Sequence, residues 1–106
     1  MKLLIAGSRS ITDFDLSPYI SKEVGEIISG GANGIDALAE KYADERRISK
    51  HIIQAAPIKR NKDMVILADC VLVIWDGTSR GTLATINFAK EQNKPLTVVN
   101  IKETET

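Results

Sequence analysis

Short apolar runs and segments of helical spacing follow one another along the chain. The apolar runs predict five β-strands, at residues 2–6, 26–29, 50–55, 70–75 and 96–101. The segments between them predict four helices, at residues 17–25, 34–47, 61–68 and 82–92. Ser17-Pro18 is a typical start for the first helix, and Asn61 is the expected N-cap of the third. The chain is therefore expected to alternate strands and helices throughout.

Alternation of this kind favours an α/β fold. Strands joined by helices form a parallel sheet with right-handed crossovers, and we expect a three-layer Rossmann-like fold with strand order 3-2-1-4-5. The continuously apolar run at residues 70–75 is typical of a central parallel strand. A single domain should span residues 1–101, followed by a polar tail at 102–106. Ligands of such sheets bind beyond the carboxyl ends of the strands.

Composition narrows the classes of function. The 106 residues carry 14 basic and 14 acidic side chains, so no overall charge draws the chain to nucleic acid or to a membrane. The longest apolar run is too short to cross a bilayer, and no leader sequence precedes the first strand. A single cysteine and a single histidine offer neither a disulfide nor a zinc site. We therefore expect a cytoplasmic protein with no metal and no membrane partner.

Candidate binding residues gather in the four loops that follow the strands. Glycine allows the backbone to approach a ligand, and helix N-termini offer N–H groups to anions, so these loops predict a phosphate site. Tight strand-to-helix turns are the alternative interpretation of the same glycines. The candidates are Gly7, Ser8, Arg9, Gly30, Gly31, Asn33, Gly34, Asp36, Arg60, Asn61, Asp76, Gly77, Arg80, Gly81 and Thr82.

Charged residues near these loops allow two interpretations each. A basic rim suits bidentate phosphate contacts, although a solvated charged edge would look the same; it comprises Arg9, Lys59, Arg60, Lys62 and Arg80. Asp36 either stabilises the helix start through the helix dipole, or has a functional role in which it accepts a ribose hydroxyl or orients the loop. Asp76 is the other acid of the site. Trp75 could stack on a base, or could simply belong to the core.

The glycine spacing excludes two common cofactor chemistries. The stretch from Gly30 to Gly34 lacks the dinucleotide fingerprint, and the stretch from Gly77 to Thr82 lacks the lysine of a P-loop. No NAD(P) chemistry, no ATP hydrolysis and no bound cofactor are therefore expected. No glutamate in the turn at residues 81–85 provides a second carboxylate for acid–base work, so whether the protein is an enzyme stays open.

Four motifs in order resemble a known group of proteins. They are Gly7-Ser8-Arg9, then Ser29-Gly30-x-Ala32-x-Gly34-Ile35-Asp36-Ala37-x-Ala39, then Arg60-Asn61, then Ser79-x-Gly81-Thr82-Leu83-x-Thr85 with Ala89. This set is similar to the SLOG superfamily of Rossmann-like proteins, which includes the DNA-processing protein A family and small proteins of the YspA and YpsA type. The resemblance covers nearly the whole chain. It implies a nucleotide-related ligand at the strand ends, or single-stranded DNA.

The chain also departs from two branches of that superfamily. The segment between Asp36 and Arg60 is shorter than in the DNA-processing branch, and flanking domains are missing. Ala84 and Thr85 stand where the related phosphoribohydrolases have a glutamate after Gly-Thr. Three hypotheses follow: binding of a phosphorylated nucleotide or nucleotide-derived ligand, binding of single-stranded nucleic acid, and, least favoured, an N-glycosidase using Asp36 or Asp76. A homo-oligomer is expected, because the sheet is small and relatives often associate.

Overall fold

The structure is a computed structural model that describes the backbone of residues 1–53 and 57–101 and the side chains of residues 1–53 and 62–101. Five strands and three α-helices alternate. The strands are β1 Lys2–Gly7, β2 Glu26–Ser29, β3 Ser49–Ile52, β4 Cys70–Trp75 and β5 Leu96–Asn100. The helices are α1 Ile35–Arg46, α2 Pro57–Leu67 and α3 Arg80–Glu91. One 3-10 turn, Ser17–Tyr19, lies between β1 and β2.

The strands form one parallel sheet in the order β3-β2-β1-β4-β5. The predicted Rossmann-like fold and strand order are thus confirmed. Leu4 of β1 lies between Ile28 of β2 and Val71 of β4, which places β1 and β4 in the middle of the sheet. The change of direction in the strand order occurs between these two strands, at the position where ligands of open α/β sheets usually bind.

Each face of the sheet carries its own hydrophobic core. On one face, Leu3 and Ile5 of β1 pack with Ile35 and Ala39 of α1 and with residues of the β1–β2 connection. On the other face, Leu4 and Ala6 pack in the cluster that α2 and α3 complete. Alternate residues of β1 thus point to opposite faces, as strand geometry requires. No helix in the described part of the chain is long and apolar enough to cross a membrane.

The predicted helix at residues 17–25 is wrong. Ser17-Pro18 does start a helical turn, and Asp15 accepts hydrogen bonds from the amide and hydroxyl of Ser17 at 3.0 and 2.7 Å. The turn ends at Tyr19, because Ile20 is extended with φ −114° and ψ 116°. A short isolated helix gains few hydrogen bonds for its nucleation cost. The extended path instead allows Leu16 and Val24 to be buried against the sheet.

Three other boundaries differ from the prediction by more than one residue. Helix α2 begins at Pro57 rather than Asn61, so Asn61 is not its N-cap; proline fits the first helical turn because its missing N–H would have no partner there. Helix α3 begins at Arg80 rather than Thr82, because Ser79 caps it. Strand β3 ends at Ile52 rather than residue 55; Ile53 follows it, and residues 54–56 lie outside the described part of the chain.

Candidate functional site

The loop after β1 is held tightly against the neighbouring elements. A Cβ atom on Gly7 would lie 2.4 Å from the Ile74 carbonyl oxygen and 2.6 Å from Cγ1 of Ile35, so only glycine fits there. Ser8 is fully buried, and its carbonyl accepts the amides of Ile11 and Ile35. Its hydroxyl oxygen accepts the amide of Asp76 at 3.0 Å. Gly7 and Ser8 therefore build the floor between β1 and β4, and Arg9 follows at the exposed surface.

The glycine-rich loop after β2 requires glycine for backbone reasons. Gly31 and Gly34 have positive φ angles of 75° and 72°. A Cβ on Gly34 would also lie 2.5 Å from the carbonyl oxygens of Ser8 and Arg9. The loop is therefore packed directly on the loop after β1.

Two backbone amides of this loop donate hydrogen bonds to side chains of the protein. The hydroxyl of Ser29 accepts the Gly31 amide at 3.2 Å and donates to the Asp36 carbonyl. Oδ2 of Asp36 accepts the Ala32 amide at 3.2 Å. Asp36 is only 7% exposed, so this hydrogen bond is partly shielded from water. The carboxylate of Asp36 thus orients the loop, and the amides of Gly31 and Ala32 are both engaged by the protein.

The loop after β4 is organised by Asp76. One oxygen of its carboxylate, Oδ1, accepts the amides of Thr78 and Ser79 at 2.8 Å each. Gly77, between Asp76 and Thr78, has φ 88°, which allows the chain to turn back toward the Asp76 carboxylate. Hydrogen bonds from these two amides, first Thr78 and then Ser79, lower the pKa of Asp76 to about 2. Asp76 is therefore ionised at neutral pH.

The N-terminus of α3 completes the same loop. The hydroxyl of Ser79 accepts the amide of Thr82 at 3.4 Å and lies 3.0 Å from the Thr82 hydroxyl. The first amides of an α-helix have no partner within the helix, so Arg80 and Gly81 present theirs outward. The indole Nε1 of Trp75 donates to the Ser79 carbonyl at 3.0 Å, fixing the loop from the sheet side. Trp75 packs against the core cluster of α2 and α3.

These loops enclose a cavity of about 460 Å³ at the carboxyl ends of β1 and β4, a volume typical of small-molecule sites. Six predicted site residues lie in its wall: Gly7, Arg9, Asp36, Asp76, Gly81 and Thr82. Six further residues line it that the sequence did not single out for the site: Ala6, Ser10, Ala32, Met64, Ser79 and Thr85. The cavity is thus lined by the loops after β1, β2 and β4 and by residues of α2 and α3.

Some of the residues that prediction missed had a signal in the sequence. Ser10 follows the Gly7-Ser8-Arg9 motif directly, and Ser79 and Thr85 belong to the fourth motif. Met64 had none, because it reaches the cavity only through the packing of α2 over β1. It is 2% exposed and gives the cavity an apolar wall.

The remaining predicted residues do not line the cavity among the described side chains. Ser8, Gly30 and Gly34 are buried beneath the loops, and Gly31, Asn33, Gly77 and Arg80 are exposed around them. The side chains of Arg60 and Asn61 lie outside the described residues, although their backbone belongs to α2. Arg9 is the one cation among the described lining residues, and Asp36 and Asp76 are the two anions.

The single histidine and the single cysteine lie outside the cavity wall. His51 is on the edge strand β3, with Nδ1 3.5 Å from a carboxylate oxygen of Glu26. Cys70 begins β4, and burial raises the pKa of its thiol. Within the described residues, no three His, Cys, Asp or Glu side chains are grouped to hold a metal ion.

No protein-family model matches the chain, and no curated protein matches it with significant sequence similarity. The resemblance to the SLOG superfamily therefore stays a prediction from motifs. The functional argument depends on the cavity, its charges and the amides that reach it.

Proposed function

We propose that the protein binds a phosphorylated nucleotide or nucleotide-derived ligand in the cavity between β1 and β4. The observation that carries this proposal is the convergence of Arg9 with the first turn of α3 in one cavity of about 460 Å³. A guanidinium and a helix N-terminus are two complementary ways to stabilise a phosphate. The cavity is large enough for a mononucleotide.

The first turn of α3 is the phosphate seat in this proposal. Gly81 lies in the cavity wall, and its amide is one of those that α3 leaves unpaired. A Cβ on Gly81 would meet nothing within 4 Å, so no protein atom crowds the side-chain position of this residue. Thr82 adds a hydroxyl in the same turn, and Arg9 adds a charge from the loop after β1. The glycine-rich loop after β2 contributes less, since the amides of Gly31 and Ala32 are engaged by the protein.

The two carboxylates suit the sugar of a nucleotide. Asp76 is ionised, and among the described residues its Oδ2 accepts a 3.3 Å hydrogen bond from the exposed Ser10 hydroxyl, so this oxygen can also accept a ribose hydroxyl. Asp36 stands in the same wall.

Hydrolysis of an N-glycosidic bond is the second candidate, favoured by the presence of both carboxylates in one cavity. Asp76 could act there as an ionised nucleophile, whereas its low pKa makes it both a weak base and a poor proton donor. Single-stranded nucleic acid is less favoured, because a compact cavity with two carboxylates does not follow a chain of phosphates.

Ligand binding can be tested with a thermal-shift screen of mononucleotides, cyclic nucleotides and short oligonucleotides at two salt concentrations. The best ligand is then titrated by calorimetry into the wild type, Arg9→Ala and Lys90→Ala, the last an exposed cation at the far end of α3. We expect Arg9→Ala to weaken binding by about 1.5–3 kcal/mol, the scale of a charge-assisted hydrogen bond, and Lys90→Ala to leave it unchanged.

Three results would contradict the proposal: no stabilising mononucleotide, an affinity that Arg9→Ala does not change, or stabilisation that grows with oligonucleotide length. Release of free base from a stabilising nucleotide would favour the hydrolase. In that case Asp76→Asn should abolish release while the nucleotide still binds.

A further inference from the structure

The two edges of the sheet differ in how they are protected against pairing with another strand. Strand β3 is one edge and β5 is the other. β3 has four residues, including Lys50, whose ammonium pairs with Asp44 of α1 at 3.0 Å, and His51 beside Glu26. β5 is Leu-Thr-Val-Val-Asn, without charge or proline. Short, charged edges resist strand addition, whereas uncharged regular edges invite it.

The hydrogen bonds of β5 show which backbone groups face outward. The Val71 amide donates to the Pro95 carbonyl at 2.9 Å, and the Ile101 amide donates to the Trp75 carbonyl at 2.7 Å. Residues 95 and 101 therefore point toward β4, and so, by alternation, do 97 and 99. The N–H and C=O groups of Leu96, Val98 and Asn100 point away from the sheet. In the described part of the chain no strand pairs with this side of β5.

The outward backbone groups of Leu96, Val98 and Asn100 can pair with the same groups of a second copy. If two copies of β5 run antiparallel about a two-fold axis at Val98, then Val98 faces Val98, and Leu96 of each copy faces Asn100 of the other. Each such pair exchanges two backbone hydrogen bonds, about six in all. Pro95 falls at a position whose N–H is not needed for the pairing. No charged residue of β5 faces another across the axis.

Two of the three residues in this outward row, Leu96 and Val98, have apolar side chains. Leu96 packs with Ile86 and Ala89 of α3, so Val98, two residues later, faces the same side of the sheet. Val98 is 39% exposed, and so is Leu83 of α3, the helix that packs on β4 and β5. Pairing two copies of β5 would cover Val98 against its own counterpart, where β-branched cross-strand pairs are favourable.

We propose that the protein forms a two-fold dimer through the outer edge of β5, which joins the two sheets into one of ten strands. A second copy suits this edge better than an unrelated peptide does, because the register, the absent charges and the central valine match themselves. The two cavities lie at opposite ends of such a sheet, since the paired strands run antiparallel. Dimer formation is therefore independent of the proposed nucleotide site.

Sedimentation velocity across a concentration series tests this interface. The wild type should reach twice the chain mass of 11.6 kDa. Val98→Lys places two ammonium groups across the axis and should raise the dimer dissociation constant at least about tenfold. Val98→Pro should do the same by removing an outward N–H, and should keep the β4 ladder, which does not use that N–H.

Ile66→Lys is the matched control, since Ile66 is 58% exposed on α2, which is not part of the proposed interface. It should dimerise like the wild type. Amide hydrogen exchange gives a readout that needs no variant: protection at Leu96, Val98 and Asn100 should rise with protein concentration, and protection at Lys50 should not. A monomeric wild type, a dimer that survives both Val98 variants, or equal loss in Ile66→Lys would overturn the proposal.

Discussion

The hydroxyl oxygen of Ser8 accepts the backbone amide of Asp76 at 3.0 Å and so ties the loop after β1 to the loop after β4. Ser8 is fully buried at this point. Asp76 in turn accepts the amides of Thr78 and Ser79, and Ser79 caps α3. A chain of hydrogen bonds therefore runs from the centre of the sheet to the helix N-terminus that faces the cavity. The shape of the proposed phosphate seat depends on this chain.

Ser8→Ala should lower the free energy of unfolding by about 1–2 kcal/mol, because the Asp76 amide loses its only described acceptor in a partly buried place. Urea denaturation measures the change. Ser10→Ala is a matched control: its hydroxyl also contacts Asp76, at 3.3 Å, but the residue is exposed, so stability should change by less than about 0.5 kcal/mol. Equal losses in the two variants would show that the buried link is no stronger than the exposed one.

Asp76→Asn should change how stability depends on pH. The pKa of Asp76 is about 2 in the folded protein against 3.8 for an aspartate in the unfolded chain, so ionisation stabilises the folded state. This contribution is fully present above pH 3.8 and is lost as the pH falls through about 2. Since Asp76 is partly exposed, we expect about 1 kcal/mol.

The measurement compares the wild type and Asp76→Asn by urea denaturation at pH 6 and at pH 2.5. The asparagine can still accept the loop amides, so the comparison isolates the charge. The wild type should be the more stable at pH 6, and the difference should shrink toward pH 2.5. A difference that stays the same at both values would mean that the charge of Asp76 does not stabilise the loop.

The fold could be predicted from the sequence because four of the five strands contain a short apolar run, with charged β3 as the exception, and the turns carry glycine. The segment at residues 17–25 could not, since Ser17-Pro18 marks the start of a helical turn without fixing its length. Leu16 and Val24 are buried by packing on the sheet, which a local pattern does not contain. Pro57 shows the same limit: it ends a strand pattern and also opens a helix.

The site was predictable in position but not in detail. Loops after parallel strands meet at one edge, so Arg9, Asp36, Asp76 and Gly81 could be placed together. What the sequence could not show is which amides the protein satisfies itself, since that depends on the reach of Asp36 to Ala32 and of Asp76 to Thr78. The glycines at 31 and 34 were predicted as a phosphate cradle, and they serve backbone geometry and loop packing.

Gly34→Ala tests that role of glycine. Gly34 has φ 72°, and a Cβ would lie 2.5 Å from the carbonyl oxygens of Ser8 and Arg9, so alanine is both strained and in collision with backbone. We expect a loss of at least about 2 kcal/mol in the free energy of unfolding, measured by urea denaturation, because neither loop can move without breaking the Ile35 amide bond to the Ser8 carbonyl.

Gly25→Ala is the control for this substitution. A Cβ on Gly25 would meet nothing within 4 Å, and its φ lies outside the left-handed region. Alanine there should be neutral or stabilising by up to about 1 kcal/mol, because it reduces the freedom of the unfolded chain. If Gly34→Ala were as stable as Gly25→Ala, the loops after β1 and β2 could not be in the close contact that forms this side of the cavity.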